Sequence, residues 1–181
     1  MRFAMCFPVV AALALSACAG AGRGEDMPTQ SGVDLSRYAG TWYELARLPN
    51  SFQDECAGEV KAIYTLEAGN KLGVTNQCRE RDGAIESVQG QGRLNDDFND
   101  KARLQVRFAP AWTSWLPWVW GDYWILRIEG NYQYSLVGTP DREYLWVLAR
   151  SPYADPAIVQ RLLDYARRQG FDTAKVLPTR Q

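Results

Sequence analysis

The chain has 181 residues, the length of one ordinary domain with a sizeable hydrophobic core. Its 20 basic and 21 acidic side chains nearly cancel and no basic stripe is visible, so we expect no nucleic-acid partner. The sequence has no histidine, which excludes Ser-His-Asp and Cys-His catalysis, imidazole zinc sites and haem on a proximal histidine, and we expect neither a metal nor a cofactor.

Residues 1–17 have the features of a bacterial secretion signal. Arg2 supplies a positive charge, and the run 3–15 is almost entirely apolar yet too short to span a bilayer. The segment ends in "LSAC", which resembles a lipobox and implies cleavage before Cys18, diacylglycerol on its thiol and an acyl chain on its new amine. An ordinary signal peptide with a chance cysteine is the alternative. Because Ala19 follows, not an aspartate, we expect attachment to the outer membrane of a Gram-negative bacterium, facing the periplasm.

Residues 18–34 are predicted to be a lipid-anchored flexible tether, followed by a folded domain at 35–181. The stretch "AGAGRGEDMPTQSGV" is small, polar and rich in glycine. The acyl chains on Cys18 would make the attachment effectively permanent, since each buried methylene contributes about 0.8 kcal/mol.

Two of the four cysteines remain in the predicted domain. Cys6 leaves with the signal and Cys18 takes lipid, which leaves Cys56 and Cys78. An even number in an oxidising compartment predicts a disulfide, and two unpaired buried thiols are the alternative. The turn "EAGN" lies midway between them, so a hairpin there would bring the two roughly opposite.

Short strand patterns separated by turn signals predict an antiparallel sandwich or barrel without any βαβ unit. The eight candidate strands are 41–48, 60–66, 71–78, 84–94, 102–108, 122–128, 132–138 and 143–150. One amphipathic helix follows, with Asp155 as N-cap, Pro156 at its first position and Gly170 at its end. We expect this helix to pack outside the sheet, and "AKVLPTR" after it to add a short ninth strand.

Three motifs in this order resemble the signatures of the lipocalin family. They are "GTWYELARL", "RIEGNYQYSLVG" and "DREYLWVLARSP", and the resemblance covers roughly residues 35–181. The chain also resembles the bacterial outer-membrane lipocalins, which share the lipobox. The signature positions in this chain are Gly40, Trp42, Glu129, Tyr132 and Arg150, with Glu129 standing where an aspartate is usual.

The resemblance implies an all-β fold, an eight-stranded up-and-down barrel whose interior holds one small ligand. It also implies that Trp42 closes one end and that Arg150 stacks across it, both in structural roles. Alternate residues of the strands should line the interior: Glu44, Tyr64, Val74, Leu104, Val106, Phe108, Trp146 and Leu148. A filled barrel is the alternative. Glu44 would meet a ligand headgroup or, as we prefer, a buried arginine or tyrosine.

The expected function is to store or transport fatty acids or lysophospholipids at the outer membrane, in membrane maintenance. A lipocalin-type enzyme acting on a lipid and a carrier of an apolar pigment are the alternatives, and we expect no enzyme because the mature chain offers no evident free thiol. A homodimer is left open.

The stretch "APAWTSWLPWVWGDYW", residues 109–124, is longer than a tight hairpin between the fifth and sixth strands needs. It contains Trp112, Trp115, Trp118 and Trp120, which either fold back as a lid over the barrel mouth or project into a lipid interface.

Overall fold

A computed structural model describes residues 27–69 and 71–181. The strands in this part are β1 Gly40–Arg47, β2 Cys56–Glu67, β3 Lys71–Glu80, β4 Ile85–Leu94, β5 Arg103–Arg107, β6 Gly121–Glu129, β7 Tyr134–Gly138, β8 Leu145–Ala149 and β9 Leu177–Pro178. The helices are α1 Leu35–Tyr38 and α2 Pro156–Arg168. The predicted signal segment 1–17 and the predicted lipid anchor Cys18 lie outside the described residues.

The first eight strands form a closed antiparallel barrel, as the sequence predicted. Each strand pairs with the next along the chain, and β1 pairs with both β8 and β2. The predicted ninth strand is also present, against β1 and outside the ring of eight. Because consecutive strands reverse direction, the loops after odd-numbered strands meet at one end of the barrel. We call this end the mouth and the opposite end the closed end.

Alternation along the strands places apolar side chains in two separate cores. The first lies inside the barrel and contains Trp42, Leu104, Ile125 and Val137 among its buried members. The second lies between the outer wall and α2, where Leu126 and Val147 meet Leu162 and Ala166 of the helix. An irregularity in the β1–β8 register between Glu44 and Ala46 turns Ala46 to the outer core.

Helix α2 follows the capping rules that predicted it. The Asp155 side chain accepts a hydrogen bond from the Ala157 amide, Pro156 occupies the first turn, and Gly170 has a φ of +92° just beyond the end. Its Leu162 is completely buried against the barrel. Among the described residues, no helix is both long and apolar enough to cross a bilayer.

Residues 27–34, which the sequence analysis places in the predicted tether, pack against the barrel. Met27 is 1% exposed and packs in the outer core, while Val33 is 4% exposed and belongs to the inner one. Between them, the Gln30 amide donates to the carbonyl of Ile125 on β6. These isolated apolar residues fasten a stretch whose composition is that of a flexible linker.

The predicted disulfide joins Cys56 at the start of β2 to Cys78 near the end of β3, with 5.6 Å between their Cα atoms. The β2–β3 ladder spans this hairpin and places Cys78 beside the residues opposite Cys56. The bond ties together the mouth ends of two long strands across a sequence separation of 22 residues.

Thiol labelling should find no free cysteine in the unfolded, unreduced mature chain made with Cys18→Ser and without residues 1–17. After reduction, the same chain should label twice. Closing a loop of this size stabilises a fold by about 3 kcal/mol in the chain-entropy model, so Cys56→Ala with Cys78→Ala should lower the free energy of unfolding by about that much. Two labelled thiols before reduction would contradict the bond.

Candidate functional site

The closed end of the barrel is sealed by Arg150 lying over Trp42. The guanidinium carbon is 3.9 Å from the centre of the indole ring, and Trp42 is completely buried. The Trp42 indole N–H donates to the Tyr38 carbonyl at 2.8 Å. Arg150 donates to the carbonyls of Thr41 at 2.9 Å, Ala39 at 2.9 Å and Arg37 at 2.7 Å. Arginine suits this position because its fork of donors satisfies several carbonyls while its flat face stacks on the indole.

The chain enters the barrel beneath this arginine through Gly40. Its φ is +101°, a conformation that other residues rarely adopt, and a Cβ there would lie 3.2 Å from Arg150 Nη1. At the other two signature positions, Tyr132 accepts a hydrogen bond from the Asp34 amide, and Glu129 pairs with Arg161 of α2 at 3.1 Å. The five signature residues therefore fasten the closed end and its neighbouring helix.

Three buried tyrosines form the floor above the sealed end. Tyr64 donates to the Tyr123 hydroxyl at 2.8 Å, and Tyr123 and Tyr38 share a hydrogen bond of 2.9 Å. Ser135 Oγ lies 3.0 Å from the Tyr38 hydroxyl and extends the network. Burial raises the pKa of Tyr38 to about 12 and also raises the pKa of Tyr64 and of Tyr123, so all three are neutral phenols near neutral pH. Satisfied neutral hydroxyls let polar side chains lie in an apolar interior.

A cavity of about 650 Å³ lies above this floor and opens at the mouth. Tyr64, Val74 and Leu148 line it towards the floor, and Phe52 and Tyr144 line it at the mouth. Such a volume lies within the usual range for small-molecule sites in proteins. The barrel is therefore filled at its closed half and hollow at its open half.

Seven of the eight predicted lining residues are on the cavity wall. They are Glu44, Tyr64, Val74, Val106, Phe108, Trp146 and Leu148. Leu104 is not on the wall: it is 1% exposed and lies in the packed inner core with Trp42. Phe108 lies at the rim and is 41% exposed. Strand alternation gave the correct face for Leu104 but not its depth in the barrel.

An aromatic group at the mouth was missed by the strand pattern. The rings of Tyr144 and Trp146 stack at 10° with centroids 5.9 Å apart, and Phe52 packs against both. The Trp146 indole N–H donates to Gln53 Oε1 at 3.2 Å. Continuing the alternation two residues back from Trp146 would have predicted Tyr144 on the cavity wall. Phe52 and Gln53 lie on a short turn after β1, where alternation gives no signal.

Glu44 is one of the carboxylates on the cavity wall, and it already has protein partners. Its Oε1 lies 2.9 Å from Arg47 Nη1 and 2.5 Å from Thr179 Oγ1, and its Oε2 accepts from Gln53 Nε2 at 2.7 Å. The residue is 3% exposed. This arrangement is the structural pairing with an arginine that we preferred. The Glu44 carboxylate is bonded to neighbouring groups of the wall and is not left free for a ligand headgroup.

The tryptophan-rich loop after β5 divides its four indoles into two groups. Trp112, Trp115 and Trp118 are 75–76% exposed and are absent from the cavity wall. Trp120 is half-buried: its ring lies 4.0 Å from the Arg93 guanidinium, it borders the cavity, and its indole N–H donates to the Ser114 carbonyl. In this structure the three exposed rings form no lid. Trp120 differs from the expected membrane-contact group because Arg93 and Arg107 hold it against the barrel.

Comparison with known proteins agrees with this architecture. A family model described as a lipocalin-like domain matches residues 33–181. Temperature-induced lipocalin-1 of Arabidopsis thaliana is 34% identical over 158 residues, covering 87% of this chain and 84% of that protein. The outer membrane lipoprotein Blc of Escherichia coli K12 is 30% identical over 172 residues, covering 94% and 92%.

Among solved structures, insecticyanin from the tobacco hornworm Manduca sexta has the same fold. Its TM-score is 0.67 at 20% identity, covering 86% of this chain and 85% of that one. Three findings indicate the same protein family: the family match over most of the chain, the closed eight-stranded barrel and the sealed end. The chain belongs to the lipocalin family, whose barrels hold small hydrophobic ligands.

Proposed function

We propose that this lipocalin is a lipid-binding lipoprotein, anchored through an acylated Cys18, that stores or transports fatty acids or lysophospholipids at the outer membrane in membrane maintenance. The observation that carries the proposal is the cavity of about 650 Å³ with a closed floor, a largely apolar wall and an open mouth. A single acyl chain suits a cavity that is closed at one end and open at the other. The sequence similarity to the outer membrane lipoprotein Blc and the "LSAC" tetrad support the location.

The ligand orientation follows from the distribution of polar groups on the wall. Val74 and Leu148 offer apolar contact near the floor, and each methylene buried there contributes about 0.8 kcal/mol. Asn76 and Gln77 lie further along β3 towards the mouth and are among the polar side chains on the wall that can contact a headgroup. The acyl tail therefore points inward and the headgroup stays in the outer half of the cavity.

Binding without turnover is part of the proposal. The two cysteines on the cavity wall are joined to each other, and the Glu44 carboxylate is paired with Arg47, so these three residues offer no free nucleophile or base to a bound ester. A lysophospholipid incubated with the protein should be recovered intact by mass spectrometry of an organic extract.

Fluorescence of Trp146 tests the proposed site. Adding a fatty acid below its micelle concentration should change the emission of the mature chain, because the Trp146 ring borders the cavity. Trp146→Phe should remove most of that change and keep the fold. The matched control is Trp118→Phe, since Trp118 is exposed and away from the cavity wall, and it should keep the response. A full response that survives in Trp146→Phe would contradict the assigned position of Trp146 beside the ligand.

A further inference from the structure

The loop between β5 and β6 carries an exposed apolar segment at the barrel mouth. Residues 109–120 include no charged side chain, and within them Trp112, Trp115 and Trp118 expose 76%, 75% and 75% of their area. Soluble proteins seldom leave several large aromatic rings together in water without a partner for them. We define these three residues as the indole patch.

The loop that carries the indole patch is held by several hydrogen bonds. The buried Arg107 guanidinium donates to the carbonyls of Ala109 at 2.7 Å and Pro110 at 2.9 Å, and to Gln91 Oε1 at 2.6 Å. Thr113 Oγ1 donates to the Pro110 carbonyl at 2.6 Å. The loop then forms two 3₁₀ turns, Ala111–Thr113 and Pro117–Val119. The three exposed indoles therefore lie on a loop whose backbone is fixed by hydrogen bonds.

We propose that the indole patch docks on the headgroup region of a phospholipid bilayer and turns the barrel mouth towards it. Tryptophan favours this region because its ring is apolar and its N–H still finds hydrogen-bond acceptors there. The absence of charge in 109–120 removes the desolvation cost that a charged side chain would add. Docking goes beyond the proposed ligand binding and needs no ligand in the cavity.

The chain outside the described residues is long enough for this orientation. Met27 packs on the outer wall, where its carbonyl accepts from Arg103, and Cys18 lies nine residues before it. Nine extended residues reach about 30 Å, so an anchor at Cys18 leaves the mouth free to tilt onto the same bilayer. This step rests on the proposed anchor, but the docking and its test do not.

Docking would also shorten the route of a lipid into the cavity. Val119 and Trp120 follow the indole patch directly in the loop, and both border the cavity. When the three indoles lie in the headgroup region, the cavity mouth opens beside the bilayer. A single-chain lipid then passes from leaflet to cavity along apolar side chains without crossing bulk water.

The test measures vesicle binding by the mature chain with Cys18→Ser and without residues 1–17, so that no acyl anchor contributes. The vesicles contain phosphatidylethanolamine and phosphatidylglycerol. We expect co-sedimentation with the vesicles, a blue shift of tryptophan emission and quenching by brominated acyl chains. Changing Trp112, Trp115 and Trp118 together to Ser should weaken vesicle binding by roughly tenfold or more, because it removes the interfacial side chains.

Two controls keep the result specific to the indole patch. Tyr153 is 88% exposed and follows β8 at the closed end, so Tyr153→Ser should bind vesicles like the parent chain. The triple variant should keep its Trp146 response to a fatty acid, which separates loss of docking from loss of the fold or of ligand binding. A parent chain without vesicle affinity, or a triple variant that binds equally well, would overturn the proposal. If the triple substitution instead abolishes a dimer seen by light scattering and leaves vesicle binding unchanged, the patch is an interface between two copies.

Discussion

Arg150→Met is expected to lower the free energy of unfolding by about 3–5 kcal/mol. The arginine donates to carbonyls of Arg37, Ala39, Thr41 and Tyr132, and a methionine would leave these groups without their donor. Each buried polar group left unsatisfied costs about 1–3 kcal/mol, and the lost contact with the indole adds about 0.5–2 kcal/mol. The expected loss in the free energy of unfolding is smaller than the full sum of these costs, because water reaches the partly exposed guanidinium site.

Urea unfolding of the oxidised protein measures this loss, with two comparison variants. Arg150→Lys keeps a cation over Trp42 but not the planar fork of donors, so about half of the loss should remain. Arg161→Met removes an exposed ion pair with Glu129, and such pairs contribute about 0–1 kcal/mol. Arg150→Met should still bind fatty acid when folded, because the sealed end lies below the cavity floor. Equal stability of Arg150→Met and Arg161→Met would contradict the structural role.

The strand pattern of the sequence predicted an antiparallel sandwich or barrel, because alternation is a local property, and the resemblance to the lipocalins implied the closed eight-stranded barrel. Leu104 and Val106 were correctly given the same inner face. Their depth in the barrel was beyond the pattern: Leu104 is in the packed floor and Val106 on the cavity wall. The depth at which the packed core ends and the cavity begins depends on Trp42, Tyr38 and the other side chains that fill the closed end.

Contacts between distant segments account for the other differences from the sequence analysis. Residues 27–33 have a linker composition, yet Met27 and Val33 find apolar sites on a barrel that composition alone does not describe. Likewise, four similar tryptophans occupy two environments because Arg93 and Arg107 lie beneath only Trp120. Side chains on other strands decide both outcomes, and single-sequence patterns carry no information about them.

Ending the chain at Val176 is expected to destabilise the barrel wall beside the cavity. The β1–β2 ladder runs only from Gly40–Tyr64 to Tyr43–Lys61, and beyond it the last five residues lie along the edge of β1 that β2 leaves free. The Thr179 amide donates to the Leu45 carbonyl at 2.9 Å, and Arg180 accepts from the Glu59 amide at 2.7 Å.

The side chains of this C-terminal segment complete the link between the two strands. Gln181 Nε2 donates to the carbonyls of Glu44 at 2.5 Å and Val60 at 2.9 Å, and Thr179 Oγ1 donates to the Glu44 carboxylate. β2 is shaped to accept the segment, because a Cβ on Gly58 would lie 2.7 Å from the Arg180 carbonyl oxygen. Residues 177–181 therefore join β1 to β2 at the height of the cavity.

Deletion of residues 177–181 should lower the free energy of unfolding by about 2–4 kcal/mol, since it removes several hydrogen bonds of about 0.5–1.5 kcal/mol each and one to a charged group. It should also speed the release of a bound fatty acid, because Glu44 and the neighbouring wall lose their outer support. Stopped-flow dissociation and urea unfolding measure the two effects. Thr179→Val, which removes only the hydroxyl on Glu44, should cost about 1–2 kcal/mol, and Arg180→Ala, which keeps the backbone contacts, should cost little. A shortened chain with the stability and fatty-acid release rate of the full protein would mean that β1 and β2 hold the wall without the C-terminal segment.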